Sequence, residues 1–170
     1  EISDSRLGKE KVLLPVNDDD TPDWDYMVKT IRQLGKTVKW NTIHMQQTKL
    51  SLSDVGWKEF PMDSVFTIKK GKRLTKADII EGTTNFIGAI SGNNGIRERI
   101  SEDPLYEGNC ITVNYNGSVG EAYYQESPFW ASDDVNVLFL REHILNKYIG
   151  LFLITIIRQN KSHFDFGRKW

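Results

Sequence analysis

Apolar and polar positions follow one another in short stretches along this chain, and the rhythm changes twice. Near the start, Lys11-Val-Leu-Leu-Pro-Val16 is apolar on both faces and holds a proline, the pattern of a short strand. Asn17 to Asp20 is a polar turn. Thr21-Pro22-Asp23 then opens a helix, with a hydroxyl cap, a proline in the first turn and acids near the positive end. Trp24, Met27, Val28, Ile31 and Leu34 recur at helical spacing, which predicts an amphipathic helix over Pro22 to Leu34 ended by Gly35. Lys36 to Ser53 is polar and weakly periodic, a linker or frayed helix.

From Val55 the texture becomes that of short strands separated by turn residues. Val65 to Lys69 alternates and stops at Gly71, and Thr75 to Ile80 fits one helical turn. Asn85 to Ile90 is strand-like and runs into the loop Ser91-Gly-Asn-Asn-Gly95. Asn109 to Tyr115 and Ser118 to Tyr124 flank Asn116-Gly117, a strong hairpin signal. Pro128 to Ala131 and Val135 to Leu140 are further strands. Asn146 to Arg158, with Tyr148, Ile149, Phe152, Leu153, Ile156 and Ile157, is a buried helix. The predicted class is α+β: a mixed, mostly antiparallel short-strand sheet domain with one late buried helix, plus an N-terminal strand and a spacer-type helix. The boundary falls near residue 50, giving segments 1–50 and 51–170.

Length and composition narrow this picture. At 170 residues, with 39% hydrophobic and 26% charged positions, the chain suits a single core and excludes wholesale disorder. The single cysteine, Cys110, excludes an intramolecular disulfide and points to a reducing, cytoplasmic compartment. The longest apolar run, Tyr148 to Ile157, is half a membrane span, so no membrane partner is expected. No signal-peptide pattern opens the chain, and the absence of an initial Met suggests a piece of something longer. The net charge of −1 hides an asymmetry. Residues 1–27 carry a net of −5, with eight acids and three bases, and the remainder carries +4. Phe66 to Lys76 holds five bases and no acid, and Arg158 to Trp170 holds four bases against Asp165. Such stretches suit a polyanion without demanding one.

Catalytic chemistry finds little support. His44, His143 and His163 are far apart and lack metal-ligand spacing. Cys110 sits in an apolar strand pattern, where cysteine acts as a small hydrophobe. Asp133-Asp134 reads as a solvated turn before a strand rather than a metal site. Gly92 to Gly95 lacks the lysine and the helix of a phosphate loop. Nucleic-acid chemistry fits better. Lys69-Lys-Gly-Lys-Arg73 places bases around a glycine at a strand end, where the backbone can approach a phosphate. Asn93, Asn94, Arg97 and Arg99 form a second polar group, and asparagine and arginine pair two-handed with adenine and guanine. Taken alone, each group reads somewhat better as an ordinary solvated turn.

In order, Trp57 to Phe60, Val65 to Arg73, Phe86-Ile-Gly-Ala-Ile-Ser-Gly-Asn-Asn-Gly-Ile96, Ile111 to Tyr124 and Ala131-Ser-Asp-Asp-Val-Asn-Val-Leu138 form a series. It resembles the target recognition domain of type I restriction–modification specificity subunits, and the related domain of fused type II enzymes, over about residues 55–170. Residues 1–50 resemble the end of such a domain plus its spacer helix, with Pro22-Asp-Trp24 in place of the usual second proline and Glu-Gln pair. The chain thus begins where one recognition domain would finish and stops before the next ending is due.

The resemblance implies a DNA-reading module that is not itself an enzyme. Double-stranded DNA, an adenine methyltransferase subunit and a restriction subunit are the implied partners. S-adenosylmethionine and Mg belong to those partners or to fused domains, and no cofactor is expected in this chain. Lys69, Lys70, Lys72, Arg73 and Lys76 are expected on phosphates. Asn93, Asn94, Arg97, Arg99, Asn116, His163, Arg168 and Lys169 are the candidates for base edges. The parent is a two-domain subunit, a half-subunit that forms a homodimer, or a fused enzyme. A binding module for a protein or glycan and a nuclease are the competing readings. Val12 to Val16 is expected to dock as a strand beside the C-terminal region of its own body or of a second copy, because a free strand of that kind invites aggregation. Met27, Ile31 and Leu34 of the helix are expected to stay free for a partner.

Overall fold

A computed structural model of the chain describes residues 6–40 and 55–163. A short helix α1 (Arg6–Lys9) leads into strand β1 (Lys11–Val16) and helix α2 (Trp24–Trp40). Then come β2 (Gly56–Pro61), the short α3 (Met62–Val65), β3 (Phe66–Lys70), β4 (Glu81–Ile87), β5 (Ile96–Ile100), β6 (Cys110–Asn114), β7 (Ala122–Gln125), β8 (Phe129–Ala131), β9 (Val135–Leu140) and α4 (Lys147–Gln159). The result is the expected α+β class.

The strands form three sheets. β3-β9-β6-β7 is a four-stranded antiparallel sheet, and β5-β4-β8 is three-stranded, with β4 and β8 parallel. β1 and β2 make an antiparallel pair in which Val12 faces Phe60 and Leu14 faces Lys58. The four-stranded sheet is the middle layer. On one face, Phe66, Ile111, Val113, Ala122 and Leu138 meet Ile149, Phe152, Leu153 and Ile157 of α4. On the other, Cys110, Val135 and Val137 meet Ile87 and Phe129 of the three-stranded sheet. Every residue of β6 is buried as a result. Its polar members are hydrogen-bonded locally: Gln125 Nε2 donates to Thr112 Oγ1 at 3.1 Å, and Asn114 Nδ2 donates to the Ile90 carbonyl at 3.1 Å, while the buried Asn114 Oδ1 accepts no hydrogen bond from the described residues.

The N-terminal strand is part of this body. Leu7, Val12, Leu14 and Met27 are fully buried in the same apolar cluster as α4. Asn160 Nδ2, just beyond α4, donates to the Lys11 carbonyl at 3.3 Å. β1 thus docks onto β2 with the end of α4 beside it.

Five local expectations need correction. Asp23, not Thr21, caps α2, its Oδ1 accepting from the Tyr26 N–H at 2.8 Å. The helix runs through Gly35 to Trp40: Gly35 keeps an ordinary negative φ, a Cβ there would meet nothing, and glycine inside a helix costs only about 1 kcal/mol. Met27 is buried and Ile31 half-buried, so of the three apolar residues expected free only Leu34 is exposed. Thr75 to Ile80 forms a single hydrogen-bonded turn, closed by Asp78 N–H to the Thr75 carbonyl at 3.0 Å, rather than a helix. The β6–β7 hairpin exists, but the Asn114 N–H pairs with the Glu121 carbonyl, so a longer loop replaces the two-residue turn and β7 starts at Ala122. Gly117 in that loop has φ +60°, and a Cβ there would lie 2.6 Å from the Ala89 carbonyl oxygen, so the loop packs on the segment after β4. The rest of the expected linker, residues 41–53, lies outside the described residues.

Removing residues 1–20 deletes Leu7, Val12 and Leu14 and bares the edge of β2. The truncated chain is expected to aggregate or to melt well below the full chain. Leu14→Ala, which should still fold, is expected to lower stability by about 2–5 kcal/mol in urea unfolding. Full stability in both would show that the strand is not part of the core.

Candidate nucleic-acid interface

The acid-free stretch after Phe66 begins in a strand and ends in an anchored loop. β3 pairs with β9, so Lys69 lies opposite Val137 and Lys70 opposite Asn136. Beyond it the chain closes onto β8 and β9: the Gly71 N–H donates to the Val135 carbonyl at 3.0 Å, and the Lys72 N–H to the Ala131 carbonyl at 2.9 Å. A Cβ on Gly71 would fall 1.9 Å from the Ser132 carbonyl oxygen, so only glycine admits this approach. Tyr106 Oη donates to the Lys70 carbonyl, and Trp130 Nε1 to that of Lys72 at 3.0 Å.

Three of the four lysines of this stretch lie over aromatic rings. Lys69 Nζ is 5.2 Å from the Phe139 centroid, Lys70 Nζ 5.9 Å from Tyr115 and Lys72 Nζ 5.7 Å from Trp130. All three side chains are exposed. Among the described residues, none of the three has a carboxylate partner, and neither has Lys76. These rings leave the cations ordered and unneutralised. The aromatic partners are functional candidates that sequence reasoning missed; a periodic pattern marks them only as strand residues.

Beside this rim lies an open groove of about 750 Å³, lined by Arg73, Leu74, Thr75, Lys76, Arg97, Glu98, Asn116, Asp133 and Asp134. The fold therefore brings together four of the expected site residues from three distant segments: Arg73 and Lys76, Arg97 and Asn116. Arg97 lies on β5, a mostly polar strand that the hydrophobic pattern does not predict. Its guanidinium stacks over Phe86 at 4.5 Å, and its Nε donates to Glu98 Oε1 at 2.8 Å. Asn116 Nδ2 donates to Asp134 Oδ1 at 2.9 Å, and Arg73 Nη1 lies 3.9 Å from Asp133 Oδ2. Burial, then Asp134 and Asp133, push the Tyr115 hydroxyl above its ordinary value.

The other candidates sit elsewhere. Asn93 and Asn94 are exposed, and both have the left-handed backbone of a tight turn, at φ 45° and 51°. Their amides turn back on the protein: Asn93 Nδ2 donates to the Ile96 carbonyl at 2.8 Å, and Asn94 Nδ2 to the Tyr124 carbonyl at 3.1 Å. Neither lines the groove. Arg99 is exposed on β5, outside the groove lining. His163 closes the last described turn, and Arg168 and Lys169 lie outside the described residues. Nearby, Arg158 and Lys161 converge on Glu121 at 3.5 and 2.6 Å.

Nothing in this arrangement resembles a reactive centre. Among the described residues no three of His, Cys, Asp and Glu are grouped as metal ligands. Among them, also, no helix is long and apolar enough to cross a membrane. Cys110 is buried between the two sheets, and burial pushes its thiol up to about 12.

Comparison with known proteins gives this geometry a family context. Residues 54–169 match the profile of the type I restriction modification DNA specificity domain. The specificity subunit S.BcgI of a type II restriction enzyme from Heyndrickxia coagulans is 40% identical over 99% of this chain, which covers 51% of that subunit. The specificity subunit of the type I restriction enzyme MpnII from Mycoplasma pneumoniae is 29% identical over 62% of this chain and 32% of its own length. The chain thus spans about half or less of these relatives. In three dimensions it resembles the S subunit of a type I restriction–modification system from M. genitalium, with a TM-score of 0.50 at 21% identity over 83% of this chain and 40% of that one. That likeness concerns the fold.

The Cys110 thiol yields a checkable consequence. Its ordinary value is 9.0, and the folded state raises it, so the unfolded chain loses the proton first. The associated stability is fully present below pH 9 and is lost as pH rises toward 12. Native protein at pH 8 is expected to resist a thiol reagent that modifies it fully in denaturant. Rapid labelling of the folded chain would count against the burial.

Proposed function

Since the chain belongs to the family of type I restriction modification DNA specificity domains, we propose that it is the sequence-reading module of a restriction–modification system. It binds double-stranded DNA at a target half-site and directs an adenine methyltransferase and a restriction subunit there. It performs no chemistry itself: S-adenosylmethionine and Mg act in those partners. Residues 51–170 carry the reading surface, and residues 1–50 supply the closing strand and spacer helix of the same design. The docking of β1 on β2 supports a body completed by its own N-terminal segment.

The observation that carries this reading is the pairing of an unneutralised lysine rim with a polar groove. Lys69, Lys70 and Lys72 stand exposed over aromatic rings and form no ion pair with a carboxylate among the described residues, which suits phosphate contacts. Arg73, Lys76, Arg97 and Asn116 face a space that a base edge can enter. The rim sets register on the backbone, and the groove reads sequence. Asn93 and Asn94 contribute by shaping the turn before β5, which carries Arg97.

Lys70, Lys72 and Arg73 changed together to alanine are expected to weaken binding to every duplex and to flatten the salt slope by up to about three units. Unchanged affinity at low salt would remove them from the interface. Arg97→Ala is expected to cost roughly 1–3 kcal/mol on a selected target duplex and little on random DNA. An equal loss on both, read by fluorescence anisotropy, would make Arg97 a phosphate contact.

A further inference from the structure

Resting on the DNA reading above, we propose that Asp133 and Asp134 determine specificity in the groove. They accept hydrogen bonds from the exocyclic amino group of a target base, adenine N6 or cytosine N4, and they repel a phosphate from the same place.

The cations of this surface fall into two classes. Those on the rim, Lys69, Lys70 and Lys72, have no carboxylate partner among the described residues and rest on aromatic faces. Those in the groove are matched by acids: Arg73, Lys76 and Arg97 share the space with Glu98, Asp133 and Asp134, so its formal charge is zero. A phosphate entering the groove gains little counter-ion release and meets three carboxylates. A base edge meets a different surface. An amino group on a base is a donor only, and an ionised carboxylate is an acceptor only, so the two are complementary.

The aspartates are also positioned before DNA arrives. They stand in the turn entering β9, a strand whose residues 135–138 are all buried. The Val135 N–H donates to the Ser132 carbonyl at 3.1 Å, and the Tyr115 N–H to the Asp134 carbonyl at 3.2 Å, which fixes the turn from both sides. Both side chains are half-buried. The Asn116 amide occupies one oxygen of Asp134, a residue of the groove lining, and no hydrogen bond to the other oxygen is made among the described residues. Arg73 approaches Asp133 only to 3.9 Å, too long for a hydrogen bond, so that carboxylate keeps its acceptor capacity. An exposed pair of this kind is worth about 0–1 kcal/mol and is readily exchanged.

The test uses the full chain and duplexes selected with it from a random library. Asp133→Asn and Asp134→Asn keep shape and remove charge; Asp133→Ala and Asp134→Ala also remove the acceptor. The alanine variants are expected to lose roughly five- to a hundredfold in affinity for the selected duplex, the scale of one base contact. The asparagine variants are expected to bind random duplex more tightly and with a steeper salt dependence. Replacing the read adenine by purine, or the read cytosine by 2-pyrimidinone, removes the amino group; this should weaken the wild type and leave the alanine variant unaffected. Parallel losses on selected and random duplexes, with melting temperature unchanged, would overturn the proposal while leaving DNA binding intact. A wild-type chain that enriches no sequence and binds no duplex would overturn the DNA reading itself, and this proposal with it.

Discussion

Burial of β6 and β9 on both faces is the constraint on which the rest of the structure depends. Their side chains alternate between two cores, one closed by α4 and the N-terminal segment, the other by the three-stranded sheet. A strand covered on both sides has no freedom to slip, because a one-residue shift would exchange the contents of the two cores. The loops that leave these strands therefore start from fixed points. Asp133 and Asp134 enter β9, Tyr115 and Asn116 leave β6, and Gly71 leaves β3, which is paired to β9.

Those fixed points explain how a groove assembles from segments distant in sequence. Gly71 lets the basic stretch close onto β8 and β9. Gly117 lets the β6–β7 loop pack on Ala89, beyond the end of β4. β5 carries Arg97 in from the other side, held flat on Phe86. Gln125 and Tyr123 tie the turn at Gly92 to Gly95 down: the Gln125 amide donates to the Asn94 carbonyl at 3.0 Å, and Tyr123 Oη accepts from the Gly92 N–H at 2.7 Å, while Asn114 holds the Ile90 carbonyl before it. Loops anchored in this way present donors and acceptors without a large ordering cost, which suits recognition of a rigid partner.

The N-terminal segment shows how one apolar strand closes such a body. β2 presents Trp57 and Phe60 only half-covered, and β1 pairs along its whole length while inserting Val12 and Leu14 into the cluster under α4. Because Met27 and Ile31 also turn toward this cluster, α2 is committed to the body at its start. Asp25 and Lys29 face solvent on its outer side, and from Arg32 to Lys36, Leu34 among them, every residue is exposed.

Periodicity along the chain by itself determined the elements whose burial is one-sided or complete: β1, β9 with its bounds at Val135 and Leu140, α4 to within a residue at each end, and the existence of the β6–β7 hairpin. These are legible because local pattern and tertiary environment agree. The order of the glycine-rich motifs likewise carried the family. Tertiary structure alone decided the rest. β5 is a strand because β4 pairs with it, although Ile96-Arg-Glu-Arg-Ile100 has little local signal. The length of the hairpin loop depends on what the neighbouring segments leave room for. Which of the polar residues face one another is a matter of long-range packing. Asn93 and Asn94 looked like readers but serve their own turn, and Asp133 and Asp134 looked like a solvated turn but face the arginines and Asn116 across a groove. Residue type is a local property; its partner is set by the sheets that bring separated segments side by side.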